Sequence, residues 1–290
     1  MKIDKTKIFH KSFLLIFFAL LVSPIFPQNY NLLTSFGNFQ NAETFSINSK
    51  GIIYVTDLET NEIFALDTLG NILNYTGGFG WQPSAFDQPV DVFATSLNVY
   101  VTDENNQRIQ RFDNYLNFIS ELKTRNKGNE KESFGYPLSA AISSFGELYV
   151  LDSENVRIIK FNTFGRFITN FGGYNYGIYA LKKPTKLTIS NNNNVYVLDG
   201  KKLVRFDQYG NGINIRKLNK DYTNIRIYND IMLLNSKDEI YLLDLDTPDS
   251  FLSKLFLFGS SLNYPVKAAV IFNNKLYVLT DKEISVFTKN

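Results

Sequence analysis

The tetrapeptide YVTD occupies residues 54–57, and the same four letters return at residues 100–103. Four near-copies follow: YVLD at 149–152, YVLD at 196–199, YLLD at 241–244 and YVLTD at 277–281. The tyrosines therefore recur in steps of 46, 49, 47, 45 and 36 residues. A period of this size is typical of propellers and solenoids, so the chain is predicted to be a repeat protein.

Each repeat unit contains four short apolar runs separated by Gly, Asn, Asp or Ser. In the unit at residues 136–173 these runs are LSAAIS, ELYVLD, VRIIKF and RFITNF. Such a pattern predicts four hairpin-linked strands. Runs such as LYVL are apolar on both faces, as expected for a sheet covered on both sides by neighbouring sheets. The repeated Tyr and Val are therefore predicted to pack between adjacent sheets.

The aspartate that ends each tetrapeptide is predicted to have a structural role. It follows the second strand of its unit, where a carboxylate can accept backbone N–H groups and fix the turn. Arg108 and Arg157 lie five residues after Asp103 and Asp152, a spacing that predicts an ion pair across this turn. A feature repeated in every unit usually stabilises the unit, so a metal-binding or acid role is the less favoured interpretation.

The two ends of the repeat region are predicted to complete each other. Residues 265–287 hold only three strands, and YNLLTSFG at 30–37 is a lone strand similar to the fourth strand of other units. Pairing them closes the ring and covers exposed sheet edges. The expected fold is all-β, a six-bladed β-propeller of four-stranded antiparallel blades, closed by the N-terminal strand. Residues 244–259 must then supply two strands of the fifth blade from a shortened segment.

Two stretches of the chain resemble the NHL repeat. These are FGWQPSAFDQPVDVFATSLNVYVTDENNQRIQRFD at 79–113 and FGGYNYGIYALKKPTKLTISNNNNVYVLDGKKLVRFDQYGN at 171–211. The shared pattern is Phe-Gly, a variable loop, Pro before the inner strand, Tyr-Val-x-Asp, then Asn or Arg with Ile and an aromatic residue. The resemblance implies a six-bladed β-propeller and little about activity, because this fold supports binding modules and unrelated enzymes.

The N-terminal segment, residues 1–28, reads as a secretory signal. It is basic at its start and contains the apolar run FLLIFFALLV at 13–22, which is short for a membrane span. The remaining residues, 29–290, are then one propeller domain in the periplasm, the cell envelope or the medium. If the segment stays uncleaved, it tethers the protein to a membrane.

Composition excludes several kinds of chemistry. The chain has no cysteine, and its one histidine, His10, lies in the predicted signal. Ser-His-Asp hydrolysis, imidazole zinc sites and the propeller lyases that use histidine are therefore excluded for the mature chain. Residues 1–28 hold four lysines and one aspartate, which leaves 26 basic and 27 acidic residues and a net charge of −1. This balance does not favour a nucleic-acid partner.

Polar residues at the start of the inner strands are predicted to face a central channel. The candidates are Glu43, Thr44, Asp91, Ser139, Lys186, Asp230 and Lys267. Calcium or magnesium would take carboxylate oxygens there, as in the related sugar-lactonase-like propellers. Two lysines among the carboxylates favour internal ion pairs instead, so no metal or other cofactor is expected and a Ca or Mg site is the alternative.

Aromatic residues are concentrated in the loops between units. The loops at 79–88, 126–136 and 172–183 carry the predicted binding residues Trp81, Phe86, Tyr136, Tyr174, Tyr176 and Tyr179. Tyr and Trp offer a large contact area at low entropic cost, which favours recognition of a protein, peptide or glycan. The competing interpretation is that these side chains fill gaps between blades.

Three functional hypotheses follow from the sequence. The favoured one is a secreted, non-catalytic binding module that uses the aromatic loops. The second is a carboxylate-metal enzyme of lactonase or lyase type that uses the channel. The third is a structural subunit of an envelope assembly.

Overall fold

The computed structural model describes residues 28–125, 128–247, 250–259 and 265–290. These residues form 24 β-strands and one three-residue 3-10 helix, Gly177–Tyr179, so the fold is all-β and propeller-like. The predicted signal lies outside the described residues except for Gln28, which begins strand β1 (Gln28–Phe36).

Four of the sheets are four-stranded and antiparallel, and each uses consecutive strands of the chain. The first contains β2 (Ala42–Ile47), β3 (Ile53–Asp57), β4 (Glu62–Leu66) and β5 (Ile72–Gly77). The second contains β6 (Pro89–Ala94), β7 (Asn98–Asp103), β8 (Arg108–Asp113) and β9 (Phe118–Leu122). The third contains β10 (Pro137–Ile142), β11 (Leu148–Asp152), β12 (Arg157–Phe161) and β13 (Phe167–Phe171). The fourth contains β14 (Pro184–Ile189), β15 (Val195–Asp199), β16 (Lys202–Phe206) and β17 (Gly212–Lys217).

The rest of the chain forms one eight-stranded sheet. Its strands are β18 (Asn224–Tyr228), β19 (Ile231–Asn235), β20 (Ile240–Asp244), β21 (Ser253–Phe258), β22 (Ala268–Phe272), β23 (Lys275–Leu279), β24 (Ile284–Lys289) and β1. The order is β18-β19-β20-β21-β1-β24-β23-β22, so β1 lies at the centre of the sheet.

Strand β1 makes one pairing that the sequence predicted and one that it did not. It pairs antiparallel with β24, from Tyr30 opposite Lys289 to Phe36 opposite Ile284. Its first four residues also pair in parallel with β21, from Gln28 opposite Leu255 to Asn31 opposite Phe258. The outer edge of β21 is therefore covered, and the edge groups that could recruit another chain are satisfied within the molecule.

The innermost strands of the sheets contact one another in sequence. Strand β2 contacts β6, β6 contacts β10, β10 contacts β14, β14 contacts β18, β18 contacts β22, and β22 contacts β2 again. Buried side chains fill the space between consecutive sheets; for example, Tyr149 and Leu151 of the third sheet share a cluster with Leu187 and Val197 of the fourth. Strands β3, β11 and β15 are buried at every position, which explains their apolar runs.

The prediction for the unit at 224–259 is wrong in its strand assignment. YLLD at 241–244 lies in β20, the third strand, and the second strand is β19 with the sequence IMLLN. Residues 244–259 contribute only β21 as a further strand. The reason is a two-residue hairpin at Asn229 and Asp230, both with positive φ, which joins β18 to β19 in a turn type that Asn and Asp tolerate. Here Asn235 takes the place of the repeated aspartate.

Two of the repeated tyrosines connect their own sheet to the following one. Tyr54 is fully buried, and its hydroxyl donates to the carbonyl of Asn114 in the second sheet at 2.9 Å. Tyr149 does the same to Gln208 in the fourth sheet at 3.1 Å. Burial raises the pKa of Tyr54 above its ordinary value, and the negative charge of Asp113 adds to the shift. The hydroxyl is therefore held as a neutral donor between two sheets.

Removing β1 should expose two sheet edges at once. A chain that starts at Gly37 loses the pairing with both β24 and β21, so we expect it to aggregate or to be insoluble. A chain that starts at Gln28 is the control and should be monomeric by light scattering. If the shorter chain stays monomeric and melts at the same temperature as the control, β1 does not hold the structure closed.

Substitutions of Tyr54 should separate the effect of the ring from that of the hydroxyl. Tyr54→Ala should lower the free energy of unfolding by ~3–5 kcal/mol, as large-to-small core changes do. Tyr54→Phe should cost about 1 kcal/mol, the net value of one hydrogen bond. Urea unfolding measures both, with the exposed Tyr209→Ala as control. Equal losses for the Phe and Ala variants would show that the ring contributes little.

Candidate functional site

The centre of the channel contains a buried ion cluster. In each four-stranded sheet the innermost strand has a register shift near its start, and the residue that follows the shift is Thr44, Asp91, Ser139 or Lys186. Asp91 is fully buried, and Lys186 Nζ lies 3.4 Å from its carboxylate. The hydroxyl of Ser139 and the guanidinium of Arg226 also donate to Asp91.

Arg226 ties this cluster to the opposite side of the channel. It lies on β18, and its Nε donates to the carbonyl of Phe45 at 3.1 Å. Its Nη2 reaches Thr44 Oγ1 at 2.5 Å as well as Asp91. Lys186 Nζ donates to the carbonyl of Val90 at 2.8 Å. Groups from three other sheets therefore converge on the carboxylate of Asp91.

The charges around Asp91 determine its protonation. Burial opposes its ionisation, but the positive charges of Arg226 and Lys186 outweigh burial, so the pKa of Asp91 lies below its ordinary value. Asp91 is therefore ionised at neutral pH and is the counter-charge for both cations beside it.

A second group of charges lies near the channel. Glu43 and Lys267 form a partly exposed ion pair at 2.8 Å. Burial raises the pKa of Glu104, in the turn between β7 and β8; Lys186 opposes this shift and Glu43 adds to it. Within the described parts of the chain, no group of three or more His, Cys, Asp or Glu residues is arranged to hold a metal ion.

The structure places the predicted channel residues in three different environments. Asp91 and Lys186 meet at the centre, and Glu43 and Lys267 pair with each other. Asp230 does not face the channel: it lies in the β18–β19 turn and accepts from the amide side chain of Asn191 at 2.7 Å. The prediction for Asp230 is wrong because it placed the inner strand about ten residues before Tyr241, which lies in the third strand and not in the second. For the same reason the sequence analysis did not identify Arg226, which lies in the inner strand of that unit.

Four of the repeated aspartates hold the loops that precede their sheets. Each is buried and accepts a backbone N–H from a residue 16 or 17 positions earlier. The pairs are Asp57 with Gln40 (2.7 Å), Asp103 with Asp87 (2.8 Å), Asp152 with Gly135 (3.2 Å) and Asp199 with Lys182 (2.8 Å). The predicted ion pairs are present, with Arg108 Nε 2.8 Å from Asp103 and Arg157 Nε 3.2 Å from Asp152.

Arg108 and Arg157, which pair with these aspartates, also donate hydrogen bonds to backbone carbonyls of the aromatic loops. Arg108 donates to the carbonyls of Trp81 at 2.7 Å, Gln82 at 3.0 Å and Ala85 at 2.8 Å. Arg157 donates in the same way to Glu130 at 2.8 Å and Ser133 at 2.7 Å. The backbones of both loops are thus held by guanidinium groups, of which that of Arg108 is buried and that of Arg157 is partly exposed.

Four of the predicted binding aromatics are exposed. The exposed fractions are 72% for Trp81, 43% for Tyr136, 96% for Tyr174 and 36% for Tyr176. Each belongs to a loop that joins the fourth strand of one sheet to the first strand of the next, so all four lie at the same end of the sheets. Tyr174 lines a groove of about 550 Å³ together with Glu154, Val156, Leu181 and Lys182.

Of the other two predicted binding aromatics, Phe86 is in the core, so the prediction for it is wrong, and Tyr179 is partly buried against a core cluster. Phe86 is fully buried, with its ring centre 6.0 Å from that of Phe112. Tyr179 is half-buried, with its ring centre 6.2 Å from that of Phe206. These two side chains fill space between the sheets, as the competing interpretation of the loops expected.

A second set of exposed apolar residues lies at the opposite end of the sheets. Leu69, Tyr115, Phe164 and Tyr209 occupy equivalent positions in the turns between third and fourth strands, and each is more than 70% exposed. In each turn an Asp or Asn side chain accepts the backbone N–H of the apolar residue, for example Asp113 from Tyr115 at 2.8 Å. Sequence reasoning did not identify this set, although its spacing follows the repeat.

Comparisons with known proteins support the architecture. No family model matches the chain. Among curated proteins, Protein brain tumor from Drosophila melanogaster is 29% identical over 140 residues. That stretch is 47% of this chain and only 13% of the Drosophila protein. The described helix is too short to cross a membrane.

The similar solved structures include propeller enzymes. A streptogramin B lyase superposes with a TM-score of 0.60 at 13% identity, covering 89% of this chain and 97% of that one. A catalytically inactive histidine-to-alanine variant of virginiamycin B lyase from Staphylococcus aureus, with quinupristin, has a TM-score of 0.58 at 16% identity, covering 85% and 80%. A candidate gluconolactonase has a TM-score of 0.60 at 12% identity, covering 92% and 94%. At these identities the similarity concerns the fold.

Replacing Asp91 should destabilise the protein in a pH-dependent way. Asp91→Asn leaves Lys186 and Arg226 buried without a counter-charge, so we expect a loss of ~3–5 kcal/mol at pH 7. Because the pKa of Asp91 is lowered by folding, its contribution is present above the unfolded pKa of about 3.9 and is lost as the pH falls further.

Urea unfolding at pH 7 and pH 3 measures this difference, and the gap between Asp91→Asn and the native chain should narrow at pH 3. The exposed Asp246→Asn is the control and should stay within about 0.5 kcal/mol of the native chain at both pH values. A gap that does not change with pH would contradict the role given to the Asp91 charge.

Proposed function

We propose that the protein is a six-bladed β-propeller in which the eight-stranded sheet is two blades joined by β1. The closed sequence of contacts among six innermost strands supports this count. So does an equivalence at the outer strands: Phe36, at the end of β1, packs on the backbone of Gly70 in the first sheet. Phe171, at the end of β13, packs on Gly210 of the following sheet in the same manner. Strand β1 thus acts as the fourth strand of the last blade.

Within this proposal, the repeats of the propeller are assigned to the NHL type. Its support is the motif at residues 79–113 and the similarity of about half of the chain to part of Protein brain tumor. The buried Asp103–Arg108 pair gives this motif a physical meaning, because it connects the end of the second strand to the preceding loop.

The function that the geometry favours is non-catalytic binding through the aromatic loop face, defined as Trp81, Tyr136, Tyr174 and Tyr176. One observation carries the proposal: the loop backbones are held by hydrogen bonds to buried Asp side chains and to Arg108 and Arg157, whereas these aromatic side chains are exposed. A rigid loop with an exposed aromatic side chain loses little entropy when a ligand binds. The ligand is a protein, peptide or glycan, and binding needs no cofactor.

Export is part of the same proposal. The segment at residues 1–28 would direct the protein to the periplasm, the envelope or the medium, where the loop face meets its ligand. The near-neutral charge of residues 29–290 gives no reason to include nucleic acid among the ligands.

A channel enzyme of lactonase or lyase type is the second candidate, because lyase and candidate gluconolactonase structures share the fold. The described channel offers little support for it. Asp91 is neutralised by two cations, Glu43 pairs with Lys267, and the one histidine of the chain is His10. A resident divalent ion must raise the melting temperature, so melting with calcium, magnesium and EDTA tests this candidate. A shift with either ion would favour the enzyme.

The aromatic loop face is tested by two matched triple variants. Trp81→Ala, Tyr174→Ala and Tyr176→Ala together remove three of the four aromatic side chains of the face. Tyr115→Ala, Phe164→Ala and Tyr209→Ala remove three exposed aromatics at the opposite end. Both should stay within about 1 kcal/mol of the native stability. Only the first should weaken ligand binding, by at least about tenfold.

The measurement is capture from envelope extract together with a glycan array, each read against the native chain. Loss of the same ligand by both variants would show that the loss is not specific to the loop face. Unfolding of the first variant alone would show that its aromatics are core residues and would overturn the proposal.

A further inference from the structure

Five lysines line one groove beside the aromatic loop face. The groove has a volume of about 370 Å³, and its charged residues are Lys182, Lys183, Lys201, Lys202, Lys217 and Asp199. Gly200 and Leu218 complete it. Lys182 also lines the groove of Tyr174, so the two grooves adjoin. We call this lysine-lined groove the basic groove.

Backbone bonds hold the lysines together. Asp199 accepts the backbone N–H groups of Lys182 at 2.8 Å and Lys183 at 2.5 Å. Gly200 donates to the carbonyl of Lys183 at 3.1 Å, which brings the β15–β16 turn against the same loop. Leu218 donates to the carbonyl of Lys201 at 2.9 Å. The lysines, which come from a loop, a turn and two strands, are therefore fixed at one place.

The positive charge of the basic groove is not neutralised by the described residues. Among them, no carboxylate forms an ion pair within 4.0 Å with any of the five ammonium groups. Asp199 is occupied by backbone N–H groups. Lys202 and Lys217 are direct cross-strand partners in β16 and β17, and like charges in this position destabilise a sheet. The cluster therefore opposes folding and favours an anionic ligand.

The hydrogen-bonding groups of the basic groove favour a ligand that carries acceptors. Its side chains offer hydrogen-bond donors, and its one carboxylate already accepts two N–H groups. A sugar brings hydroxyl donors that need acceptors, whereas the carboxylates of Asp and Glu only accept. Lysine stems also provide apolar walls for the methylene groups of such side chains.

We infer that the basic groove binds an acidic segment of a polypeptide partner, whose carboxylates contact the lysines while neighbouring residues contact Tyr174. This rests on the proposed function, because it names the ligand class for the same end of the propeller. The interaction is electrostatic and partly exposed, so salt weakens it.

The test measures binding of a fluorescent octaglutamate peptide to the full chain by anisotropy. Lys201→Glu with Lys217→Glu removes two positive charges from the groove and adds two negative ones. Lys50→Glu with Lys275→Glu makes the same net change at the opposite end of the sheets. We expect the first variant to weaken binding at least about tenfold and the second by less than about threefold, since screening limits distant charges. Raising the salt from 50 to 300 mM should weaken native binding.

A stability measurement separates binding from folding. Lys217→Glu places an opposite charge beside Lys202, so its melting temperature should equal or exceed that of the native chain while its peptide affinity falls. A lower melting temperature together with lower affinity would assign the lysine a structural role and overturn the inference.

Two further results of the binding measurements would overturn the inference. Tighter binding of an oligogalacturonate than of octaglutamate would replace the peptide with an acidic glycan, and equal weakening by the two double variants would show nonspecific attraction; either result overturns the inference. Failure of the inference leaves the proposed function intact if ligand capture still depends on Trp81. Failure of both would appear as capture that is independent of Trp81 and of the lysines.

Discussion

A buried carboxylate that accepts backbone N–H groups from the preceding loop connects the fold to its surface. Asp57, Asp103, Asp152 and Asp199 each do so. A buried carboxylate is costly unless it is fully hydrogen-bonded, so the loop must return to the same position in every sheet. Arg108 and Arg157 add bonds from the next strand and use their remaining N–H groups on loop carbonyls. The packing of the sheets and the geometry of the loop face therefore depend on the same interaction.

The channel uses its ionisable residues differently. Asp91 pairs with Lys186 and Arg226 across the ring, and Ser139 and Thr44 provide further hydrogen bonds. Such a cluster contributes more to specifying one arrangement of the inner strands than to stability, because the desolvation of its charges offsets much of their attraction. Under the proposed function, a ligand at the loop face would leave this cluster undisturbed, so the channel would be structural and the rim would bind.

The sequence predicted features that repeat, and it failed where the repeat changes. The tyrosines, the Asp–Arg pairs and the pairing of β1 with β24 follow from period and composition. Arg226 could not be found in this way, because β19 carries Met232 and Asn235 where other units carry Tyr and Asp. Phe86 and Trp81 lie five residues apart in one loop, and only the fold shows that one is buried and the other exposed. The parallel pairing of β1 with β21 could not be predicted, because the apolar pattern of a strand does not show whether it pairs along one edge or along both.

Some residues differ from the pattern that the four-stranded sheets share, and packing within the sheet does not explain them. The first four sheets share the register shift of the inner strand, the buried aspartate and the turn between third and fourth strands. Against this background, the cross-strand pair Lys202–Lys217 is expected to reduce stability, because like charges face each other across the two strands. Residues that oppose folding at one position of an otherwise consistent sequence are expected where a partner binds. The basic groove meets this criterion, and its junction with the Tyr174 groove at Lys182 places charge and aromatic surface within reach of a single ligand.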